Sequence, residues 1–212
     1  MYDFNEWVSS IGIVYFILAI IIAYFLGNIS PATLISKAAN IDIRKKGSGN
    51  PGTTNVLRVM GPKAAALTLV IDILKGVVAV LIGRYIGGET LAVICGLAVF
   101  IGHIWPIIYK FKGGKGIATG FGALLALNYV FALICLAIAA IGFVASKRAS
   151  VGSLLSALSI PILANYFMPN YIGLLTVMTV IIFIKHRSNI KRLIKGEEPK
   201  VSFKKKEETN ES

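Results

Sequence analysis

The stretch LAVICGLAVFIGHIWPIIY at residues 91–109 runs directly into KFKGGKGIATG at residues 110–120. The first stretch carries no Asp, Glu, Lys or Arg and approaches the roughly 20 apolar residues that a helix needs to cross a bilayer. The second stretch sets lysines among glycines, and exposed backbone N–H groups beside positive side chains favour an anion. Together they predict a membrane helix that ends at an anion-binding loop.

The composition of the whole chain supports a membrane protein. Of 212 residues, 56% are hydrophobic and 15% are charged, and the mean hydropathy is +0.75. These values lie outside the range of soluble globular proteins, so we expect an all-α integral membrane protein. The net charge of +12 comes from basic residues at loop ends and in the tail, which argues against nucleic acid as a partner. Cys95 and Cys135 lie in apolar runs and indicate neither a disulfide nor a metal site.

Apolar runs predict about seven transmembrane helices. The run from 117 to 146 is too long for one helix, and its polar interruption at Asn128 and Tyr129 divides it into a short helix and a fuller one. The turn signal Met168-Pro169-Asn170 separates the last two spans. The seven predicted spans are 11–27, 64–83, 91–109, the short helix 117–127, the fuller helix from the interruption to 146, 151–167 and 171–185.

The positions of Lys and Arg predict the orientation of these spans, because cytoplasmic loops are enriched in both. If the amino end lies outside, the outer face holds only one of the Lys and Arg residues, Arg84, and the carboxyl end is cytoplasmic. The cytoplasmic face then holds Lys37, Arg44, Lys45, Lys46, Arg58, Lys63, Lys110, Lys112, Lys115, Lys147, Arg148 and the basic residues from Lys185 onward. Residues 1–199 are predicted to form one membrane domain, and 200–212 a disordered tail with affinity for anionic headgroups.

The segment KKGSGNPGTTN at residues 45–55 is rich in groups that bind phosphate. Its glycines Gly47, Gly49 and Gly52 match GxGxxG, but the segment lies between two membrane helices and contains Pro51. A dinucleotide site is therefore disfavoured, since that fingerprint requires a preceding strand. Turn N–H groups, hydroxyls, amides and guanidinium groups remain as phosphate ligands.

Within the second segment, Lys115 is the strongest anion ligand. A nucleotide P-loop is disfavoured because Tyr109 stands where the motif requires its first glycine and Gly116 follows the lysine. A lysine in a glycine turn at the start of a helix still favours an anion, because the helix N-terminus adds unpaired N–H groups and a favourable dipole.

A third polar segment, KHRSNIKRLIKGEE at residues 185–198, follows the last span. His186 and Asn189 share a helix face, and the histidine is a candidate for proton transfer or for hydrogen bonding to phosphate. Three polar residues lie inside spans. Asp72 and Lys75 form either a self-neutralising ion pair or a chemical site, and His103 serves either packing or function.

Three stretches, GSGNPGTTNVLR at 47–58, GHIWPIIYKFKGGKGIAT at 102–119 and HRSNIKRLIKGEE at 186–198, together resemble the cytoplasmic motifs of a known family. The family is that of the bacterial membrane glycerol-3-phosphate acyltransferases that use acyl phosphate. The resemblance implies acyl transfer from acyl phosphate to the 1-hydroxyl of sn-glycerol 3-phosphate, giving lysophosphatidic acid and inorganic phosphate in phospholipid synthesis. It also implies a multi-pass protein of the bacterial cytoplasmic (inner) membrane, with membrane lipids around it and the active site facing the cytoplasm. We expect no cofactor and no metal.

The same resemblance assigns site residues. The catalytic residues it implies are His186, Asn189, Lys115 and Arg44. The substrate phosphate-binding residues it implies are Ser48, Asn50, Thr54, Asn55, Arg58, Gly113, Gly114, Gly116 and Glu198. Thr53 stands where the family commonly has alanine, so its hydroxyl is given no role. The proton of the attacking hydroxyl goes either to His186 or to a substrate phosphate oxygen.

Two other classes of function compete with this reading. A transporter or channel for a phosphorylated anion could use the same loops, and small size and Pro- or Gly-broken helices suit it. However, the chain has no internal repeat, and its polar motifs cluster on one predicted face and not at the midplane. A structural membrane subunit would leave the phosphate-type donors unexplained.

Overall fold

The computed structural model describes residues 12–201, and every regular element in that range is a helix. The helices are α1 Gly12–Asn28, α2 Pro31–Ala38, α3 Thr53–Met60, α4 Pro62–Ile104, α5 Ile117–Leu127, α6 Tyr129–Ser146, α7 Ala149–Phe167, α8 Ile172–Lys185 and α9 Arg187–Ile194. Single 3-10 turns, Ile107–Tyr109 and Pro169–Tyr171, precede α5 and α8. The prediction of an all-α membrane protein is confirmed for this part of the chain.

Judged by helix length and composition, the structure has fewer candidate membrane spans than the sequence predicts. Four helical segments are long and apolar enough to cross a membrane: Gly12–Ala38, Pro62–Tyr109, Tyr129–Ser146 and Ala149–Phe167. A fifth arises if Pro169–Lys185 and Arg187–Ile194, which meet at a bend of 57°, form one broken span. Seven spans are therefore not confirmed, although each predicted span overlaps a helix, with 64–83 and 91–109 both in α4. The orientation stays a prediction.

Helix α4 accounts for part of this difference, because it consists of two arms joined at Gly87 and Gly88. Gly88 has φ +67 and ψ −157, a conformation that only glycine adopts readily. The arms pack against each other, since a Cβ on Gly83 would lie 2.6 Å from the carbonyl oxygen of Leu91. Val80 and Ala92 share one buried cluster. The chain thus reverses within α4, which counts as a single segment by composition.

The predicted interruption at residue 128 is confirmed. Helix α5 ends at Leu127, and the Asn128 side chain then accepts a hydrogen bond from the Phe131 backbone N–H at 3.0 Å, which caps the start of α6. The predicted turn after α7 is also present, because α7 ends at Phe167. Residues 1–11 and 202–212, on which the predicted outside amino end and disordered tail depend, lie outside the described range.

Glycines bring the backbones of neighbouring helices into contact. A Cβ on Gly102 in α4 would lie 2.1 Å from the Tyr24 carbonyl oxygen in α1, and one on Gly122 in α5 would lie 2.1 Å from that of Ile73 in α4. The same holds between α6 and α7, where a Cβ on Gly152 would lie 2.3 Å from the Ala139 carbonyl oxygen. Lipid offers no hydrophobic drive for helix association, so close packing of small residues is the main attraction. The arms of α4 therefore hold α1 on one side and α5 on the other.

A methyl group at one of these contacts tests the packing. In Gly76→Ala, the new Cβ would lie 2.3 Å from the Thr119 carbonyl oxygen, so we expect α4 and α5 to separate at a cost of about 1–3 kcal/mol. Gly173→Ala is the matched control, because nothing lies within 4 Å of its Cβ. Thermal unfolding in detergent should show a lower midpoint for Gly76→Ala alone. Equal midpoints for the two variants would contradict the packing argument.

Candidate active site

The three polar segments meet, as the sequence analysis expects. In the first loop, residues 39–52, the Arg44 guanidinium donates to the Lys112 carbonyl at 3.2 Å and lies 4.7 Å from the centre of the Tyr109 ring. Both partners belong to the second loop, residues 105–116. The Lys115 ammonium of that loop donates to the Asn189 side-chain oxygen in the third segment, residues 186–198. Residues far apart in sequence thus form one site.

Asn55 organises the first loop from within. Its side-chain oxygen accepts from the Ser48 N–H at 2.8 Å, and its amide nitrogen donates to the carbonyls of Ile43 and Lys46 at 3.2 and 3.1 Å. The residue is only 1% exposed. These contacts use both amide hydrogens, so the geometry makes Asn55 the scaffold of the loop and does not leave its amide hydrogens for the predicted phosphate contact.

The glycines of the second loop allow it to lie directly on the end of α4. The N–H groups of Gly113 and Gly114 donate to the carbonyls of Ile104 and His103 at 3.2 and 3.1 Å. A Cβ on Gly114 would lie 2.2 Å from the His103 ring nitrogen Nε2. Gly116 has φ +82 and starts α5. The sequence predicts that Gly113 and Gly114 bind phosphate through their N–H groups. In the structure those groups donate to backbone carbonyls instead.

Lys115, between these glycines, is a half-buried cation of the site. Burial lowers the pKa of Lys115 to about 8; the Glu198 charge opposes the shift, and Arg192 and Arg58 add to it. The ammonium is therefore held close to its own titration range by desolvation and by neighbouring positive charge. An incoming phosphate would relieve both effects by supplying negative charge.

Glu198 holds the third segment together. Its carboxylate accepts from the Asn189 amide at 2.6 Å, the Ser150 hydroxyl at 2.7 Å and the Arg192 guanidinium at 2.7 Å. Burial opposes ionisation, but these hydrogen bonds keep the pKa of Glu198 below its ordinary value. A carboxylate repels phosphate, so these contacts favour a positioning role for Glu198 over the predicted direct contact.

His186 follows the last residue of α8 and is 2% exposed. Its Nδ1 lies 2.9 Å from the Ile182 carbonyl oxygen. Because a carbonyl can only accept, Nδ1 carries the ring hydrogen and Nε2 is left as an acceptor. Burial, followed by the charge of Lys115, lowers the pKa of His186 to about 4. The ring is therefore neutral near pH 7.

Two cavities adjoin these residues. The cationic cavity has a volume of about 790 Å³, and among its described lining residues Asp42 is the only carboxylate. Its basic lining residues are Arg44, Lys45, Lys110, Lys112, Lys115, Lys185, Arg187 and Arg192. The apolar groove has about 660 Å³ and runs between α4, α5, α6 and α7. The two cavities share Ser48, Asn50 and Lys115.

The predicted residues divide between these cavities. Arg44 and Gly113 line the cationic cavity alone. Thr54, Asn55, Arg58, Gly116, His186, Asn189 and Glu198 line the apolar groove alone. Sequence reasoning missed Ser150, which binds Glu198, because a lone serine at a helix start is too common to signal a site. It also gave no role to Tyr109, whose contact with Arg44 requires the folded loops.

Fold and site together define an integral membrane protein in which a cationic cavity adjoins an apolar groove. A family model described as glycerol-3-phosphate acyltransferase matches residues 17–196. Proteins named glycerol-3-phosphate acyltransferase are similar over most of the chain. The one from Thermoanaerobacter sp. (strain X514) is 47% identical, covering 90% of this chain and 98% of the relative. The one from Clostridioides difficile (strain 630) is 44% identical, covering 90% and 97%.

A solved structure agrees with these sequence relatives. The crystal structure of PlsY, an integral membrane glycerol 3-phosphate acyltransferase, in its glycerol 3-phosphate form superposes with a TM-score of 0.85 at 32% identity, covering 88% of this chain and 96% of the other. Its lysophosphatidic acid form gives 0.82. The chain belongs to the glycerol-3-phosphate acyltransferase family.

The charge of Lys115 should govern anion binding at high pH. The pKa is lowered to about 8, so Lys115 is charged below that pH and loses its proton above it. We expect the affinity for inorganic phosphate to fall on the order of tenfold between pH 8 and 9.5, where phosphate itself stays dianionic. The measurement is calorimetric titration of the detergent-solubilised protein at several pH values.

The variant Lys115→Arg is the matched control, because a guanidinium stays charged across this range. Its phosphate affinity should change little between pH 8 and 9.5. A decline as steep as that of the wild type would show that a group other than Lys115 controls binding.

Proposed function

We propose that this protein transfers a fatty acyl group from acyl phosphate to the 1-hydroxyl of sn-glycerol 3-phosphate. The products are 1-acyl-glycerol 3-phosphate and inorganic phosphate, and the reaction belongs to phospholipid synthesis. The protein acts in the bacterial cytoplasmic membrane with its active site facing the cytoplasm, and residues 1–199 form one catalytic domain. The observation that carries this proposal is the junction of the cationic cavity and the apolar groove at Ser48, Asn50 and Lys115.

The cationic cavity suits glycerol 3-phosphate. This substrate is small and dianionic, and the cavity offers several cations against the carboxylate of Asp42. Arg44 is held in place by the Lys112 carbonyl and the Tyr109 ring, so its guanidinium is preorganised for phosphate. The family relationship supports the same substrate, since the related PlsY structure is a glycerol 3-phosphate form.

The apolar groove suits the acyl chain of the donor. Its walls include Phe121, Leu124 and Leu136, and its mouth carries Arg58 and Lys115. A molecule with a long hydrocarbon chain and a phosphate head would place the chain in the groove and the head at the mouth. A thioester donor carries no phosphate on its reacting carbonyl and would leave these two cations without an immediate partner.

The reaction needs alignment and charge stabilisation more than a covalent intermediate. The 1-hydroxyl oxygen attacks the acyl carbonyl carbon, a new ester C–O bond forms, and the bond from that carbon to the phosphate oxygen breaks. The phosphate leaves with the electron pair. Lys115, held by Asn189 at the junction, stabilises negative charge on the carbonyl oxygen and the departing phosphate. Glu198 positions Asn189 and Arg192 for this purpose.

The hydroxyl proton passes to an oxygen of the substrate phosphate, and His186 orients the hydroxyl. A ring with a pKa lowered to about 4 is a weak base near pH 7. Its Nε2 can nevertheless accept a hydrogen bond from the attacking hydroxyl, because Nδ1 is fixed by the Ile182 carbonyl. The low basicity of His186 therefore supports the substrate phosphate as the proton acceptor.

The donor is tested with purified protein in detergent. We expect lysophosphatidic acid and inorganic phosphate to form from palmitoyl phosphate and glycerol 3-phosphate, and no product to form from palmitoyl-coenzyme A or palmitoyl-acyl carrier protein. Both products are quantified, because acyl transfer releases one phosphate for each ester formed. Product from a thioester alone would keep the acyltransferase and overturn the donor. Absence of product with every donor, in protein that keeps its thermal unfolding transition, would favour a transport function.

Two substitutions at residue 186 distinguish its roles. His186→Gln keeps an acceptor near the position of Nε2 but cannot take a proton, so we expect kcat within about tenfold of wild type. His186→Ala removes the acceptor, and we expect kcat to fall by about 10²-fold. Both variants are assayed for product at saturating substrates and checked by thermal unfolding. If His186→Gln is as inactive as His186→Ala, the histidine is the proton acceptor after all.

A further inference from the structure

A cluster of three ionisable side chains lies inside the helical bundle, apart from the residues that carry the proposed reaction. The Lys75 ammonium is 2.7 Å from the Asp72 carboxylate and 2.8 Å from the His103 ring nitrogen Nδ1, and that nitrogen is 3.3 Å from the Asp72 carboxylate. None of the three is more than 7% exposed. Buried charge in a membrane is costly unless it is paired, so each member of the cluster fixes the others.

Lys75 extends the cluster to the first helix. Its ammonium also donates to the carbonyl oxygens of Gly27 and Ile29, at 3.2 and 2.7 Å. These carbonyls lie at the break between α1 and α2, where the helical hydrogen-bond ladder is interrupted. Unsatisfied carbonyls at such a break are unfavourable in a membrane. Lys75 therefore ties α1 to the first arm of α4 at this depth.

His103 connects the cluster to the second loop. Its carbonyl accepts from the Gly114 N–H at 3.1 Å, and its Nε2 would be 2.2 Å from a Cβ placed on Gly114. Nδ1 of the His103 ring faces Lys75 and Asp72, and Nε2 faces the loop. Gly114 thus rests on the imidazole with no space between them. The next residue in the chain is Lys115.

Asp72 and His103 also line the apolar groove, as Lys115 does. We propose that Asp72, Lys75 and His103 form a positioning cluster that sets where the second loop lies and thereby aims the Lys115 ammonium at the junction of the two cavities. This inference rests on the proposed acyl transfer. It gives a role in the reaction to three residues that touch no reacting atom.

The cluster differs from a general packing contact in one measurable respect. If His103 acts through Lys115, its removal should matter only while Lys115 is present. A contact that merely stabilises the fold would lower activity by the same factor with either residue at position 115. The two cases are separated by a double-mutant cycle, which measures the coupling between two side chains.

The experiment compares wild type, His103→Ala, Lys115→Ala and the double variant for acyl transfer from palmitoyl phosphate. We expect His103→Ala to lower kcat on the order of tenfold to a hundredfold, since small misplacements of a catalytic group have effects of that size. The KM for glycerol 3-phosphate should change less than kcat, because the displacement is expected at Gly114 and Lys115, whereas Arg44 contacts the loop further from His103, at Tyr109 and Lys112. In the Lys115→Ala background, the same His103→Ala substitution should lower the residual rate less than twofold.

Two further variants keep the test decisive if His103→Ala folds poorly. Gly114→Ala leaves the buried charges intact but pushes the loop away from the ring, so it should reproduce the loss of kcat. Arg84→Ala is the control for lost packing. Arg84 lies at the far end of the arm that carries Asp72 and Lys75, where its guanidinium donates to the carbonyls of Ala126 and Leu127 in α5. Its removal should leave kcat within about twofold of wild type.

The outcomes separate this inference from the proposed function. An inactive wild type would refute the acyl transfer itself. An active wild type, with His103→Ala equally harmful in the presence and absence of Lys115, would refute the positioning cluster and leave the acyl transfer standing. Full activity of Gly114→Ala would also refute it. A large coupling between His103 and Lys115, together with an unaffected Arg84→Ala, would support it.

Discussion

Contact between helix backbones at glycine is the constraint on which the rest of the structure depends. Lipid chains are as apolar as leucine, so helices in a membrane associate through close packing and hydrogen bonds. Gly27 and Gly102 join α1 to α4, and Gly76 and Gly122 join α4 to α5. These contacts are short enough that the helices cannot slide without separating. The loops at their ends are therefore fixed in relation to one another, although they are distant in sequence.

A site crowded with positive charge needs an internal counterion, and Glu198 supplies it. Lys115, Arg192 and Arg58 would repel one another in the absence of an anion, and the pKa of Lys115, lowered to about 8, reflects burial and that repulsion. The Glu198 carboxylate binds Arg192 directly and reaches Lys115 through Asn189. One negative charge thus keeps the cations in position without cancelling them, and an arriving phosphate gains favourable interactions without a rearrangement of the site.

Much of this arrangement could be predicted from the sequence, because local patterns determine it. Apolar runs located the long helices but not the short α2, α3 and α9. The polar break at Asn128 ended one helix and capped the next. The roles of Asn55 and Gly114 could not be predicted in the same way. Whether an amide faces a ligand or a backbone carbonyl depends on which carbonyls the folded loop brings near it. For Asn55 that carbonyl belongs to Ile43 in the loop, and for Gly114 it belongs to His103 at the end of α4. The seven predicted spans are not confirmed, because α5 is shorter than a full crossing and the two arms of α4 count as one segment by length and composition.

The junction of the two cavities explains why the polar residues lie at the ends of helices and not in their middles. The proposed donor, which has a phosphate head and an apolar chain, binds favourably only where water-accessible cations and lipid-like surface lie side by side. Lys115 lines both the apolar groove and the cationic cavity, so it stands at the boundary between them. Moving the lysine deeper would raise the cost of its charge, and moving it outward would let water screen its field. Its half-buried position is the compromise that keeps the ammonium charged near neutral pH, as the proposed reaction requires.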